Sequence, residues 1–498
     1  MGAAISAMAA PSLTFAQFSA PAVVASPTLQ QQLDEWYRQA IRVAPGTWGI
    51  AIASQDGQLL WAMNPTTQLI PASTVKVFTT GYGRSMVGAE ARRSTRVIGA
   101  GHIDPLTGAW LGSWSLEVNG DFTLGRTGRS GPSLTDLARQ LAEQGVRSLT
   151  GPFAVVTEFG TAEARFPSVW ANRHRGRLFA PPVGPLTVNE NTVTVRVTPN
   201  RVSGRAPVIA DASPLGLTYL ISNRARTVDG RANRLRVLAT PEGRFVLTGT
   251  IGVRAGQRTL SAVSSAPEAL LEAAWRHALS EAGISWESST AMPAETGMAS
   301  PTVLAEVTSQ PYDSIATEVN SRSSNLGAEL LLRWAAGSDH LTAAERLTAH
   351  VRQVTGDPIG VSLVDGSGLS EDDRASAWSF VAYLARFPFL PGGRNFALLL
   401  PANGQGTLRN LANGLPAEGM VRAKTGTLAN VASVTGYLGR RDGVLLISLL
   451  YNGSQTGAAR QQQWRLFRLL GADGVTLPAE SEQLGGEGIS LPPPPLVP

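Results

Sequence analysis

The 498-residue chain contains no cysteine, which excludes disulfides, thiol nucleophiles and thiolate-bound metals. Lysine is almost as scarce. It occurs only at Lys76 and Lys424, and the remaining basic side chains are arginine and five histidines. Those histidines (His102, His174, His277, His340 and His350) form no H-E-x-x-H pair that would hold zinc. No G-x-S-x-G elbow points to a Ser-His-Asp hydrolase, and with no glycine-lysine pair a phosphate-binding P-loop is excluded. No apolar run approaches the ~18–20 residues of a membrane span. The histidines read as surface or satisfied core residues, and no metal or cofactor is expected.

What is present is an ordinary globular composition, 43% hydrophobic and 16% charged, long enough for two or three domains. The net charge of +5 allows attraction to anionic polymers. No concentrated basic helix or aromatic-interleaved basic patch stands out along the chain, so no nucleic-acid partner is expected. Residues 1–27 are rich in Ala, Ser and Val and contain no acid, resembling the apolar part of an export signal without its basic start. Residues 476–498 are rich in Pro and Gly and read as a disordered tail.

Periodicity places a helix over Leu29–Val43, then a hairpin from Trp48 to Trp61 turning at Asp56-Gly57. Pro71 precedes a helix start at Ala72. From residue 96 to 295 short β-like pieces alternate with turns, interrupted by helices over Leu134–Gln144 and Ala266–Ala282. Helices return at Tyr312–Val319, Leu326–Ala336 and Ala343–Val354. A hairpin from Val431 to Tyr451 and an amphipathic helix over Ala458–Leu470 complete the chain. The expectation is one α/β domain built from 28–95 and 296–475, split by a mainly β insertion over 96–295.

The two lysines sit in the two most suggestive motifs. A genomic bias toward arginine explains their scarcity but not their positions. Unlike arginine, a lysine amine can be tuned by burial into a base. Ser73-Thr74-Val75-Lys76 puts a hydroxyl and an amine on one helical face, so a desolvated Lys76 could activate Ser73 as a nucleophile. Lys424-Thr425-Gly426-Thr427 reads as a strand whose ammonium and hydroxyls could hold a carboxylate while a backbone N–H faces an oxyanion. Ser323-Ser324-Asn325 by itself reads as a helix cap.

In the order S-x-x-K, S-x-N, K-T-G the three match the signature of penicillin-binding proteins and class A β-lactamases. About 250 residues separate the first two, and that long insertion resembles the D-alanyl-D-alanine carboxypeptidase/endopeptidase family, the class C penicillin-binding proteins. Further segments are similar to the family's: Gly120-Asp121-Phe122-Thr123-Leu124, Leu186-Thr187-Val188-Asn189-Glu190-Asn191, Asp365-Gly366-Ser367-Gly368-Leu369-Ser370, Gly406-Thr407-Leu408 and Arg422-Ala423-Lys424-Thr425-Gly426-Thr427-Leu428. The resemblance implies the penicillin-binding/serine β-lactamase-like fold, with helices packed on a mainly antiparallel sheet. It also implies an extracytoplasmic enzyme acting on peptidoglycan stem peptides and acylated by β-lactam antibiotics.

By the same resemblance Ser73 is the acylated nucleophile and Lys76 its base. Ser323 relays a proton to the leaving amine, and Asn325 holds the substrate amide. Lys424 and Thr425 bind the terminal carboxylate on the strand containing Gly426 and Thr427. The N–H groups of Ser73 and Thr427 form the oxyanion hole. Two departures stand out. Phe122 replaces the family's proline, and Glu371-Asp372-Asp373 follows Ser370 where members often place arginine. The second suggests a stem peptide whose diamino acid offers an amine without a neighbouring carboxylate, with Asp121 as a candidate contact for that amine. The competing readings are a transpeptidase or β-lactamase-like acyl transferase with the same residues, and an inactive wall-binding scaffold.

Overall fold

The computed structural model describes residues 26–158, 162–288, 301–337, 340–411 and 413–477. The export-signal reading of residues 1–27 and the tail reading of 476–498 therefore fall almost wholly outside the described residues. The fold is a five-stranded antiparallel sheet with helices on both faces, joined to a β-rich body. In sheet order the strands are Val421–Leu428, Val431–Arg440, Gly443–Asn452, Thr47–Ser54 and Leu59–Met63. The hairpin near the start of the chain lies beside the one near its end, Ile50 pairing with Leu449.

The central strands are buried and mostly apolar because both faces are covered, with Ser433, Thr435 and Ser448 as buried polar exceptions. Ile50, Ile52, Val434, Ile447 and Leu449 pack against α1 (Pro27–Val43) and α9 (Thr456–Leu470). The alternate residues Ala51, Ala53, Tyr437, Leu446 and Leu450 face a helical layer. That layer comprises α2 (Val75–Val87), α5 (Tyr312–Arg322), α6 (Asn325–Ala336), α7 (His340–Thr355) and α8 (Ala377–Arg386). Ser26 caps α1 by accepting from the Leu29 N–H at 3.1 Å, with Pro27 in the first turn.

A second hydrophobic core consists only of residues between Val97 and Ala305. It joins a four-stranded sheet, in which Ser94–Ile103 pairs with Thr302–Thr308 and Trp110–Glu117, to α3 (Leu134–Glu143), α4 (Pro267–Glu281) and several short sheets. Phe122, Trp170, Ala180 and Val183 leave this set and pack with the helical layer. The segment around residues 164–183 thus reaches back to the first core. No helix among the described residues is long and apolar enough to cross a membrane.

Candidate active site

The helix read from Ala72 begins later in the structure. Ala72–Thr74 is a tight 3-10 turn, and α2 starts at Val75. Ala72 is buried and holds a left-handed φ of 49°, a conformation that costs a non-glycine residue ~1–3 kcal/mol and survives only where its surroundings impose it. Those surroundings are visible. A Cβ on Gly368 would lie 1.9 Å from the Ala72 carbonyl oxygen, and one on Gly426 would lie 2.9 Å from the Ser73 nitrogen. The Thr74 and Ser433 hydroxyls both donate to the Pro71 carbonyl, at 2.7 and 2.6 Å. Two glycine-bearing segments thus clamp the backbone of Ser73, leaving its side chain half-buried at the surface of the turn.

One α-helical turn on, Lys76 is wholly buried. Its Nζ lies 3.0 Å from Ser73 Oγ, 2.7 Å from Asn325 Oδ1 and 2.5 Å from the Ser367 carbonyl oxygen. Burial lowers the Lys76 amine to about 8, against the opposing pull of Asp365, Glu329 and Asp373. A neutral amine is therefore accessible near physiological pH.

The segment Ser323-Ser324-Asn325 is both a helix cap and part of this group. Ser323 ends α5 in the left-handed region, and Ser324 caps α6 by accepting from the Gly327 N–H at 3.1 Å. Asn325, the first residue of α6, is then turned toward Lys76. Its Nδ2 donates to the Phe179 carbonyl at 2.9 Å, so the 164–183 segment fixes which end of the amide faces the lysine. Phe122, the replacement for proline, is buried against the position where Gly327 lacks a side chain. The departure from the family pattern therefore packs the foot of α6.

The third motif lies on the sheet-edge strand Val421–Leu428, the strand its sequence reads as. The Ala423 N–H bonds the Pro401 carbonyl and Ala402 bridges Arg422, which covers the outer edge only up to residue 423. From Lys424 onward no further strand pairs with that edge among the described residues. Lys424 is fully buried, its Nζ 2.9 Å from Ser323 Oγ and 2.7 Å from the Thr425 carbonyl oxygen. Burial pushes its amine well below the ordinary lysine range, and the positive charges of Lys76 and Arg460 push it further. Ser73, Lys76, Ser323, Asn325, Lys424, Thr425, Gly426 and Thr427 are thus assembled around one open strand edge. Asp121 is not joined to them by any hydrogen bond. It is buried, its Oδ1 accepts from the Thr123 N–H and hydroxyl at 2.8 and 2.6 Å, and burial raises its carboxyl.

Three supporting groups have no role in the motif reading, although Asp365 lies in one of the matched segments. Asp365 accepts from the N–H groups of Ser367, Gly368 and Ser370 and from the indole of Trp170, winding the segment that presents the Ser367 carbonyl to Lys76. Glu329, fully buried on α6, accepts from the Gly366 N–H at 3.1 Å, with His340 Nδ1 3.2 Å away. Arg460 of α9 donates to the Gly426 carbonyl at 2.6 Å and the Thr427 hydroxyl at 3.2 Å. A buried acid one helical turn after Asn325 was a signal available in the sequence. Nothing local marked Arg460 among so many arginines. The acidic run is also divided: Asp373 is buried under the 364–365 backbone, Glu371 pairs with Arg173, and Asp372 is exposed.

This arrangement can raise a serine alkoxide equivalent, hold a tetrahedral oxyanion and anchor an anionic chain end. A family model described as the D-Ala-D-Ala carboxypeptidase 3 (S13) family matches residues 29–470. A D-alanyl-D-alanine carboxypeptidase of Actinomadura sp. is 27% identical over 432 residues, covering 81% of this chain and 77% of the relative. A carboxypeptidase of Mycobacterium tuberculosis is 29% identical over 405 residues, 78% of this chain and 72% of its own. Among solved structures, penicillin-binding protein 4 of Haemophilus influenzae superposes with a TM-score of 0.71 at 21% identity, over 87% of this chain and 98% of that one. The same protein complexed with a β-lactam superposes at 0.66.

Proposed function

The chain belongs to the D-Ala-D-Ala carboxypeptidase 3 (S13) family, and from that premise we propose that Ser73 carries its reaction through an acyl-enzyme on peptidoglycan stem peptides. The observation that carries the assignment is the buried Lys76 amine 3.0 Å from the Ser73 hydroxyl. Neutral Lys76 takes the hydroxyl proton as Ser73 Oγ attacks the carbonyl of the penultimate D-alanine. The oxyanion is received by the N–H groups of Ser73 and Thr427, which adjoin where Gly426 presses against the serine backbone. As the tetrahedral adduct collapses, the proton taken up by Lys76 is relayed through Ser323 to the departing amine, which returns Lys76 to its neutral form. Water, deprotonated by Lys76, then hydrolyses the ester.

Lys424, Thr425 and Thr427 receive the terminal carboxylate. The low proton affinity of buried Lys424 gives this contact a further consequence. A docking carboxylate favours its protonation, and the resulting ammonium disfavours a second positive charge on nearby Lys76. Substrate binding thereby holds the base in its working form. Asn325, fixed by Phe179, is left to meet the substrate's amide. By the same acylation β-lactams are inhibitors, and the site works outside the cytoplasm, where its polymer substrate lies.

We further assign Asp121 to the side-chain amine of the stem peptide's diamino acid. Hydrolysis of matched lysine, ornithine and diaminopimelate peptides tests this, and a strong preference for diaminopimelate rejects it. Fluorescent penicillin tests the central reading. One equivalent is expected to attach to the native chain and none to Ser73→Ala, and a folded native chain that takes up no label overturns the assignment. Products from a defined muropeptide are expected to be hydrolytic, with release of D-alanine rather than transfer to an amine.

A further inference from the structure

The arginines are not evenly spread. Between residues 196 and 258 there are eleven, against only Asp211, Asp229 and Glu242. That net +8 exceeds the +5 of the whole chain, so everything outside this stretch sums to −3. All eleven are exposed.

The sheet pairing brings four of them into an array. Residues 245–252 form a strand with one gap at Gly249, and it is flanked on one side by residues 221–228 in parallel and on the other by 233–239 antiparallel. Both pairings keep one register across the gap. Arg236 stands opposite Thr248, and the parallel register places Arg224 on the other side of that threonine. Two residues on, Arg234 bonds the Thr250 backbone while Arg226 pairs with Thr250 from the other side. The intervening Ala225, Thr227, Leu235 and Val237 are buried, so the four arginines share the outer face. Strand geometry sets them ~7 Å apart along the strands and ~10 Å apart across the sheet. None forms an ion pair within the chain among the described residues. Arg205 and Arg254, both exposed, hang from the same strands through backbone bonds to Thr227 and Gly230.

We propose that this Arg224, Arg226, Arg234 and Arg236 array is a docking surface for the carboxylate-bearing glycopeptide polymer whose stem peptides reach Ser73. The proposal rests on the peptidoglycan reading of the active site. Charge complementarity carries it. Guanidinium groups grip carboxylates through paired hydrogen bonds, and the threonine hydroxyls between the rows add donors. The face offers no aromatic ring on which a base could stack, which disfavours a nucleic acid. A polymer held here stays attached while successive stem peptides visit the catalytic cleft.

The test uses the full chain and peptidoglycan sacculi stripped of protein and accessory polymers. Co-sedimentation at ~0.1 M salt is compared for the native chain and the fourfold variant Arg224→Gln, Arg226→Gln, Arg234→Gln, Arg236→Gln. The variant is expected to lose association about tenfold and to slow on intact sacculi, with D-alanine release from a short soluble pentapeptide and penicillin labelling unchanged. Sacculi whose carboxyls have been amidated are expected to release the native chain equally well, an arm that does not depend on the variant folding. Native-like sedimentation of a folded variant, or undiminished binding to amidated sacculi, overturns the proposal. So does preferential binding to single-stranded DNA or to anionic phospholipid vesicles. If the native chain fails on the soluble pentapeptide, the active-site reading falls instead, and sedimentation still decides the docking surface.

Discussion

At the scale of single residues, the two lysines divide the work by environment rather than by identity. Both are buried and both lose proton affinity, but Lys76 is surrounded by Asp365, Glu329 and Asp373, whereas Lys424 faces other cations. With neutral Lys76 as the proposed base, acylation is expected to rise with pH and level off above about 8. The sign for Glu329 follows. Its negative charge raises the lysine, so Glu329→Gln is expected to move that rising limb to lower pH, a shift that a purely structural role would not produce. The glutamine can keep one contact with the Gly366 N–H, and pH profiles of penicillin acylation measure the displacement. Arg460→Met removes a charged donor from Gly426 and Thr427, beside the carboxylate subsite. A charge-assisted hydrogen bond is worth ~1.5–3 kcal/mol, so kcat/KM is expected to fall ~10-fold or more for a free-acid peptide and less for its C-terminal amide.

At the scale of elements, the site is made by close approach. Gly368 and Gly426 allow one loop and one strand to touch the backbone around Ser73. Gly368 also has a φ of 75°, so Gly368→Ala is strained twice over. It is expected to cost ~1–3 kcal/mol in thermal unfolding and to abolish acylation. Gly457→Ala, in the first turn of α9 with open space around it, is the matching control. It is expected to leave acylation unchanged and stability equal or higher by up to ~1 kcal/mol. Much of this layer was legible beforehand. The hairpins at Trp48 and Val431 and the helices around Leu29, Leu134, Ala266, Tyr312 and Ala458 follow their periodicity to within a few residues. The start of α2 was not, because the 3-10 turn at Ala72 is imposed by Gly368 and Gly426, far away in sequence.

At the scale of the whole molecule, what sequence order hid was assembly. The sheet joins residues 47–63 to 421–452, and the groups gathered around Lys76 and Lys424 come from near 73, 323, 367 and 424. Motif order indicated which residues belong together, but not that the 164–183 segment would return to fix Asn325. The basic patch shows the same limit. No basic helix stands out along the chain, yet strand pairing gathers four arginines of the 196–258 stretch onto one face. The strand Gly443–Asn452 lies at the centre of the catalytic sheet, between Val431–Arg440 and Thr47–Ser54. Ending the chain after Arg440 is therefore expected to leave no soluble, penicillin-reactive protein. Removing residues 1–25 is expected to leave labelling intact, since α1 begins with its own cap at Ser26.

All of these levels converge on one amine and one hydroxyl. Intact-mass measurement of benzylpenicillin uptake against pH, for the native chain and Lys76→Met, tests that contact most directly. A single adduct on Ser73 is expected, its rate half-maximal near pH 8 and level above it in the native chain, and collapsing in the variant. An adduct on another residue, or native-rate acylation of Ser73 without the amine, would contradict it.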